Sequence, residues 1–278
     1  MTAFAQTILM CPPDHFEIAY VINPWMEGHC AKTDGGLVRQ QWNALRDAVA
    51  GYAKVVLQRP REGLPDLVFT ANAGLVAGKK AVVSRFRTAE RQGEEPHLRA
   101  WFEKNGYEIL AWPPEISFEG AGDALFDRGQ HLLWVGYGFR SHHVVPALLE
   151  RLLGRRTAPL RLIDPRFYHL DTCLCPLTGG YLLYYPGAFD EASLALIETL
   201  APEAKRIAVA ESDAIKFCCN AVELAGRVFL NDASDSLQMR LRIAGFVPVI
   251  LPMSEFIKSG GAAKCLTLNL AEYSDFSS

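Results

Sequence analysis

The chain has 278 residues, half of them hydrophobic, and a formal net charge of −3. That size admits one large core or two ordinary ones. The near-balanced charge, with no run of Lys or Arg, argues against a nucleic-acid groove or a basic membrane-surface patch, and no apolar stretch reaches the length of a membrane span.

Residues 1–10 lack a basic start followed by a long apolar run, so no leader peptide is expected. The seven cysteines (Cys11, Cys30, Cys173, Cys175, Cys218, Cys219, Cys265) are odd in number and contain no C-x-x-C pair. Free thiols in a reducing cytoplasm are the simplest account of them. Near the N-terminus, residues 8–10 or 19–22 supply a strand, residues 37–45 a helix and residues 55–57 a further strand. A hairpin pattern then begins at Asn72, with apolar runs at 73–78 and 81–84. The same pattern begins at Asp123 (124–129, then 131–135), at Asp171 (172–177, then 181–185 after Gly179-Gly180) and at Asn220 (221–226, then 228–230). Each is two short strands around a glycine-containing turn.

A helical pattern follows each hairpin, at 97–102, 145–153, 192–198 and 236–241, with apolar residues three and four apart. Gly51-Tyr52, Gly106-Tyr107 and Gly245-Phe246 read as helix C-caps. A closing strand comes last in each unit, at 108–112, 161–163, 206–209 and 247–251. The unit is therefore strand–strand–helix–strand, and its polar leaders Asn72, Asp123, Asp171 and Asn220 stand 51, 48 and 49 residues apart. A further 45 residues reach Cys265, which the turn at Gly260-Gly261 delivers to the first position of a short apolar strand. The N-terminal strand and helix would complete this fifth unit.

Joining the two ends closes the array and removes its exposed edges. The expectation is one α/β domain over residues 1–278, a ring of five ββαβ units whose polar leaders face one central opening. A lone cysteine is ordinarily a buried apolar filler, and Asn or Asp before a strand ordinarily caps a turn. Five such residues in register favour a site.

Further polar residues sit beside the leaders. His169 and Asp171 are two apart on a segment read as extended, so their side chains share a face. Glu119-Gly120-Ala121-Gly122-Asp123 sets two carboxylates around glycines, and Asp66, Phe69 and Asn72 recur at steps of three. An acid-lined cleft favours a cation. A cysteine with a histidine in reach is a nucleophile with a proton shuttle. A guanidinium is planar and satisfies carboxylates in bidentate fashion, and its charge would favour a nearby thiolate. Thiolate attack on a guanidinium carbon is the expected chemistry.

These motifs resemble those of the guanidine-modifying superfamily, which includes arginine deiminases, dimethylarginine dimethylaminohydrolases, amidinotransferases and arginine dihydrolases. The resemblance runs from Met10-Cys11-Pro12-Pro13 to Leu270 and implies a fivefold pseudosymmetric α/β propeller. By position, it implies that Cys265 is the nucleophile and His169 the general acid/base, with Glu119 contacting substrate and placing His169. It implies that Asp171 binds the guanidinium, that Phe69 walls the pocket and that Asp66 holds the substrate amino end. Arg91 and Arg140 fit the arginines that hold the substrate carboxylate, with Arg85 as a nearer-strand alternative. The glutamate motif is one residue longer than the usual Glu-Gly-Gly-Asp, which leaves open an offset in the placement of Glu119.

Asn72 stands where deiminases and dimethylarginine hydrolases carry Asp. An amide keeps an acceptor, gains an N–H₂ donor and loses the charge, so it suits a neutral ureido group as well as a guanidinium. Arginine dihydrolases resemble the chain at Asn72, in Asn23-Pro24-Trp25-Met26 and in the run from Lys258 to Cys265. The activity implied is conversion of L-arginine to L-ornithine, carbon dioxide and two ammonia, on a small-molecule substrate, L-arginine or a methylated arginine. No cofactor or metal is called for. The alternatives are a dimethylarginine dimethylaminohydrolase or deiminase stopping at L-citrulline, and a non-catalytic interaction protein on the same architecture. A homo-oligomer is compatible with all of them.

Overall fold

In the computed structural model, which describes residues 6–271, the short apolar runs pair into five three-stranded sheets. Residues 1–5, part of the stretch read for a leader, lie outside that range. In chain order the elements are β1 (Thr7–Met10), α1 (Gly35–Ala50), β2 (Lys54–Leu57), β3 (Gly74–Ala77), β4 (Lys80–Val83), α2 (Glu95–Lys104) and β5 (Glu108–Ile109). They continue with β6 (Ala124–Phe126), β7 (Leu132–Tyr137), α3 (Val145–Leu153), β8 (Arg156–Arg161), β9 (Leu174–Leu177), β10 (Tyr181–Tyr184), α4 (Glu191–Leu200) and β11 (Arg206–Ala208). The last are β12 (Val222–Leu224), β13 (Arg227–Leu230), α5 (Asp235–Ile243), β14 (Val247–Ile250) and β15 (Leu268–Asn269).

Every sheet has the same internal order. A middle strand pairs antiparallel with the strand before it and parallel with the strand after the helix, as in β3-β4-β5 and β6-β7-β8. The fifth sheet, β15-β1-β2, is built from both ends of the chain, with Ile8 opposite Asn269 and Leu9 opposite Leu268. Burial falls across each sheet. β3, β6, β9 and β12 are buried at every position, whereas β2 and β14 are partly exposed. Strands covered on both faces read as continuous apolar runs, which is why the first strand of each unit is the plainest in the sequence.

The helices follow the apolar spacing. α1 buries Val38, Gln41, Trp42, Leu45 and Val49 on one face, and Asp34 caps its start by accepting the N–H groups of Gly36 and Leu37. Asp190 caps α4 and Ser234 caps α5 in the same way. No helix among the described residues is long and apolar enough to cross a membrane.

Several expectations need correction. Residues 19–22 form no strand; β1 at Thr7–Met10 takes that place. The closing strand expected at 161–163 is β8, Arg156–Arg161, whose alternation of buried Ala158 and Leu160 with outward polar residues is masked by Pro159 and the arginines. The strand expected at 108–112 ends at Ile109. Gly51 closes α1 in the right-handed region (φ −68°), whereas Gly106 and Gly245 are left-handed as a C-cap requires.

Candidate active site

The polar leaders stand on tight turns just ahead of the inner strands. Asn72 lies in the 3₁₀ turn Thr70–Ala73, Asp171 in the turn Leu170–Thr172, and Asp123 directly after the turn Gly120–Gly122. Cys265 occupies a turn three residues before β15, not the first strand position. His169 precedes its 3₁₀ turn in extended geometry while Asp171 is within it, so the two do not share an extended segment. The step of three through Asp66, Phe69 and Asn72 is a 3₁₀ signature, where residues i and i+3 eclipse, and the turns Pro65–Val68 and Thr70–Ala73 realise it.

Leader side chains also stitch one unit to the next. Asn72 Nδ2 donates to the Glu119 carbonyl (3.0 Å), and Asp123 accepts from Leu170 N–H (3.0 Å) and Ser141 Oγ (2.6 Å). Asn220 donates to the Asp171 carbonyl (3.0 Å) and accepts from the N–H groups of Ala262 and Cys265. Capping and site formation therefore coexist. Asp123 and Asn220 hold the ring together, while Asn72 and Cys265 reach a pocket that Asp66, Phe69, Arg91, Arg140 and His169 also line.

Glu119 and Asp171 stand behind that lining, each against a reactive side chain. His169 Nε2 is 2.7 Å from Glu119 Oε2. Arg140 Nη1 donates to the same oxygen at 3.2 Å, and Arg87 N–H to the other. Burial opposes a charge on Glu119, but Arg140 and His169 outweigh it and hold the carboxyl well below the usual range. The extra residue of the glutamate motif is absorbed by the turn Gly120–Gly122, which leaves Glu119 in register with His169. A side chain on Gly122 would place its Cβ 2.3 Å from Asn72 Nδ2, so that close approach requires glycine.

On the other side, Asn220 Nδ2 donates to Cys265 Sγ at 3.1 Å, and the thiol points to Asp171 Oδ2 at 3.6 Å. Burial, with Asp171 beside it, pushes the Cys265 thiol well above its ordinary value. Burial also pushes Asp171 up to about 7, against the opposing effects of Lys264, Cys265 and Asn220. Burial thus favours the thiol form of Cys265, and a cation in the pocket would favour its thiolate.

Arg91 is held on several sides. It makes a bidentate pair with Glu94 (2.8 and 2.9 Å) and donates to Asn72 Oδ1 (2.9 Å) and to the Asp66 carbonyl (3.1 Å). Arg140 Nη2 reaches the Ile22 carbonyl at 2.7 Å, and its guanidinium lies over the Tyr168 ring. Both arginines line the pocket. Arg85 does not: it pairs with Glu95 and the Pro114 carbonyl at the edge of α2, which sets that alternative aside. Asp66 accepts from Tyr20 Oη through Oδ2 (2.9 Å), while its Oδ1 and the hydroxyl of Ser259 are buried without a hydrogen-bond partner. Both residues line the pocket, where a bound polar group could reach these atoms.

Sequence reasoning missed Glu94, Tyr168 and Ser259. Glu94 was detectable as the i+3 carboxylate of Arg91. Tyr168 donates to the Gly260 carbonyl (2.7 Å), and Gly260 is left-handed (φ +82°) with no room for a Cβ beside the Tyr168 hydroxyl. Asn23 bonds the Ser259 carbonyl and Trp25 the Arg166 carbonyl, which seats the 23–26 segment over the pocket. No group of three or more His, Cys, Asp or Glu among the described residues is placed to hold a metal ion.

Residues 41–272 match the family model for eukaryotic N,N dimethylarginine dimethylhydrolase. The chain is 54% identical over 264 residues to the bifunctional arginine dihydrolase/ornithine cyclodeaminase AgrE of Nostoc, covering 95% of this chain and 38% of that protein. The chain thus spans well under half the length of that relative. It is 40% identical over 262 residues to the N(G),N(G)-dimethylarginine dimethylaminohydrolase of Mycobacterium tuberculosis, covering 94% of this chain and 84% of that one. Among solved structures, the product-bound N-terminal domain of ArgZ, a cyanobacterial arginine dihydrolase, superposes with a TM-score of 0.94 at 52% identity over 95% of this chain and 97% of that one.

Proposed function

The chain belongs to the N,N-dimethylarginine dimethylhydrolase family, and from that premise we propose that it is an arginine dihydrolase: L-arginine and two waters give L-ornithine, carbon dioxide and two ammonia. Residues 1–278 act as one catalytic domain, and the free cysteines suit a cytoplasmic enzyme. The observation that carries the reading is Asn72, an amide at the pocket wall held between Arg91 and the Glu119 carbonyl. One of its two N–H bonds is engaged by Glu119, and the other is left for a neutral oxygen. The similarity to AgrE and ArgZ supports the same choice.

Asp66, with its unpartnered Oδ1, takes the substrate ammonium. Arg91 and Arg140 face the carboxylate, and Phe69 walls the aliphatic stem. The guanidinium lies against Asp171, and its charge offsets the burial that keeps Cys265 protonated. The thiolate attacks the guanidinium carbon. His169, paired with Glu119, delivers a proton to the departing ammonia and then takes one from the water that cleaves the carbon–sulfur bond. This round yields a ureido group. In the second, Asn72 holds the ureido oxygen while Cys265 attacks again; ornithine leaves, and the carbamoyl group is hydrolysed to carbon dioxide and ammonia.

Mass spectrometry of the products formed from arginine tests the proposal. Ornithine as the end product is expected. Citrulline as the sole end product would leave a deiminase, and turnover of dimethylarginine without arginine would leave a dimethylaminohydrolase. No turnover of any guanidine would return the chain to the interaction-protein alternative.

A further inference from the structure

Arg91 is one of the two arginines lining the pocket, and its guanidinium offers five N–H groups in a fixed plane. Four of them are engaged by the protein. Nε and Nη2 make the bidentate pair with Glu94, at 2.8 and 2.9 Å. Nη2 also donates to the Asp66 carbonyl at 3.1 Å, and Nη1 donates to Asn72 Oδ1 at 2.9 Å. The remaining N–H, on Nη1, is what Arg91 can offer a bound carboxylate. Glu94 is itself buried and does not line the pocket, so it acts on the site through Arg91.

The contact with Asn72 has a direction. A primary amide has a carbonyl end and an N–H₂ end of nearly the same shape, and its neighbours decide which way it lies. Here each end has its own neighbour. The Glu119 carbonyl accepts from Nδ2 at 3.0 Å, and Arg91 Nη1 donates to Oδ1. Turning the amide over would set N–H₂ against the guanidinium and oxygen against the carbonyl oxygen. The first anchor is backbone, directly before the turn Gly120–Gly122. The second is the tip of a long side chain, which keeps its place only if it is held, and the two carboxylate oxygens of Glu94 hold it. Asp66 Oδ2, 3.9 Å from Nε, is a second carboxylate that competes for the same guanidinium.

We infer that Glu94 is a positioning residue for the second hydrolysis: by clasping Arg91 it fixes the orientation of the Asn72 amide and keeps an N–H₂ donor available to the ureido oxygen. The role rests on the proposed dihydrolase activity and on the place of Asn72 within it. A guanidinium presents only donors and asks nothing of the Asn72 N–H₂; a ureido oxygen accepts, and does. The clasp therefore matters more to the second hydrolysis than to the first, and its loss changes which product leaves, not only how fast.

The test is the ratio of citrulline to ornithine formed from saturating arginine by the full chain, for the parent, Glu94→Gln, Glu94→Asp, Asn72→Asp, and Asn72→Asp combined with Glu94→Gln. Glu94→Gln places an N–H₂ against Arg91 and should raise the ratio about tenfold. Glu94→Asp keeps the charge but draws it back from Arg91, and should raise the ratio less. With Asn72→Asp already in place, Glu94→Gln should add nothing, because no amide remains to be turned. The ratio is read per product released, so a smaller folded fraction leaves it unmoved. An unchanged ratio in both Glu94 variants, however slow their turnover, would overturn the role, as would an equal rise with and without Asn72→Asp. Absence of ornithine from the products of the parent would instead remove the dihydrolase activity, and this role with it.

Discussion

The two halves of the site bury a carboxylate equally and treat it oppositely. On the His169 side, Glu119 is in contact with Arg140 and His169, and its charge is secured before any ligand arrives. On the Cys265 side, Asp171 has no such contact among the described residues, and burial lifts it to about 7. Equal depth therefore leaves these two acids differently charged, because Arg140 and His169 contact one and no such cation contacts the other. The His169 side is preorganised, and the Cys265 side would be completed by the proposed cationic substrate.

Four substitutions probe this contrast. Cys265→Ala should abolish turnover, by about 10⁴-fold or more, while arginine still binds; residual turnover within a hundredfold of the parent would move the nucleophile elsewhere. Glu119→Gln should break the preorganised half. We expect kcat to fall by about 10²–10⁴-fold and unfolding stability by about 3–5 kcal/mol, because Arg140 is left facing a neutral amide. A urea midpoint within error of the parent would contradict the second effect.

Asn72→Asp sets an anion against the Glu119 carbonyl and removes the N–H donor kept for a ureido oxygen. Citrulline should accumulate and the ornithine yield should fall by about tenfold; an unchanged yield would remove the reason to give Asn72 the second hydrolysis. The smallest expected shift is a thermal one, and it belongs to the other half. Asp171 has a folded-state value above its unfolded one, so its ionisation costs stability as pH rises from about 4 towards 7. Asp171→Asn should therefore stabilise the protein at pH 8, by about 2–4 °C in Tm for each kcal/mol recovered, while arginine turnover is lost. A lower Tm at pH 8 than the parent would show that Asp171 is compensated after all.

The ring and most of its inner strands were legible because strands buried on both faces write themselves as uninterrupted apolar runs, and because the polar residues before them recur near every fifty positions. β8 was displaced because a rim strand shows only half its pattern, and Thr157, Pro159 and Arg161 fill the other half. Spacing singled out Asp66, Phe69, Asn72, His169 and Cys265, and the family resemblance Arg91 and Arg140, all of which line one pocket, but their partners were not legible. That Arg91 is clasped by Glu94, or that Tyr168 packs against Gly260, depends on contacts between turns that spacing does not encode. The backbone of the leaders was also misjudged: alternation suggests strand starts, whereas hydrogen bonds between neighbouring units bend those residues into turns.

The ring is sealed by the two facing pairs of β1 and β15, with Leu270 N–H bonded to the Thr7 carbonyl and Thr70 Oγ1 to the Leu9 carbonyl. The β1–β15 pairs and the Leu270–Thr7 bond join residues more than 250 positions apart, the costliest loop for the chain to close. Cys265 lies three residues before that seam. The proposed nucleophile therefore sits beside the longest-range contacts of the sheets, and a molecule with four finished sheets and an open seam would be folded in most of its backbone yet, on that proposal, chemically silent. Recovery of activity after dilution from denaturant should lag recovery of secondary structure, and the lag reports when the ring shuts.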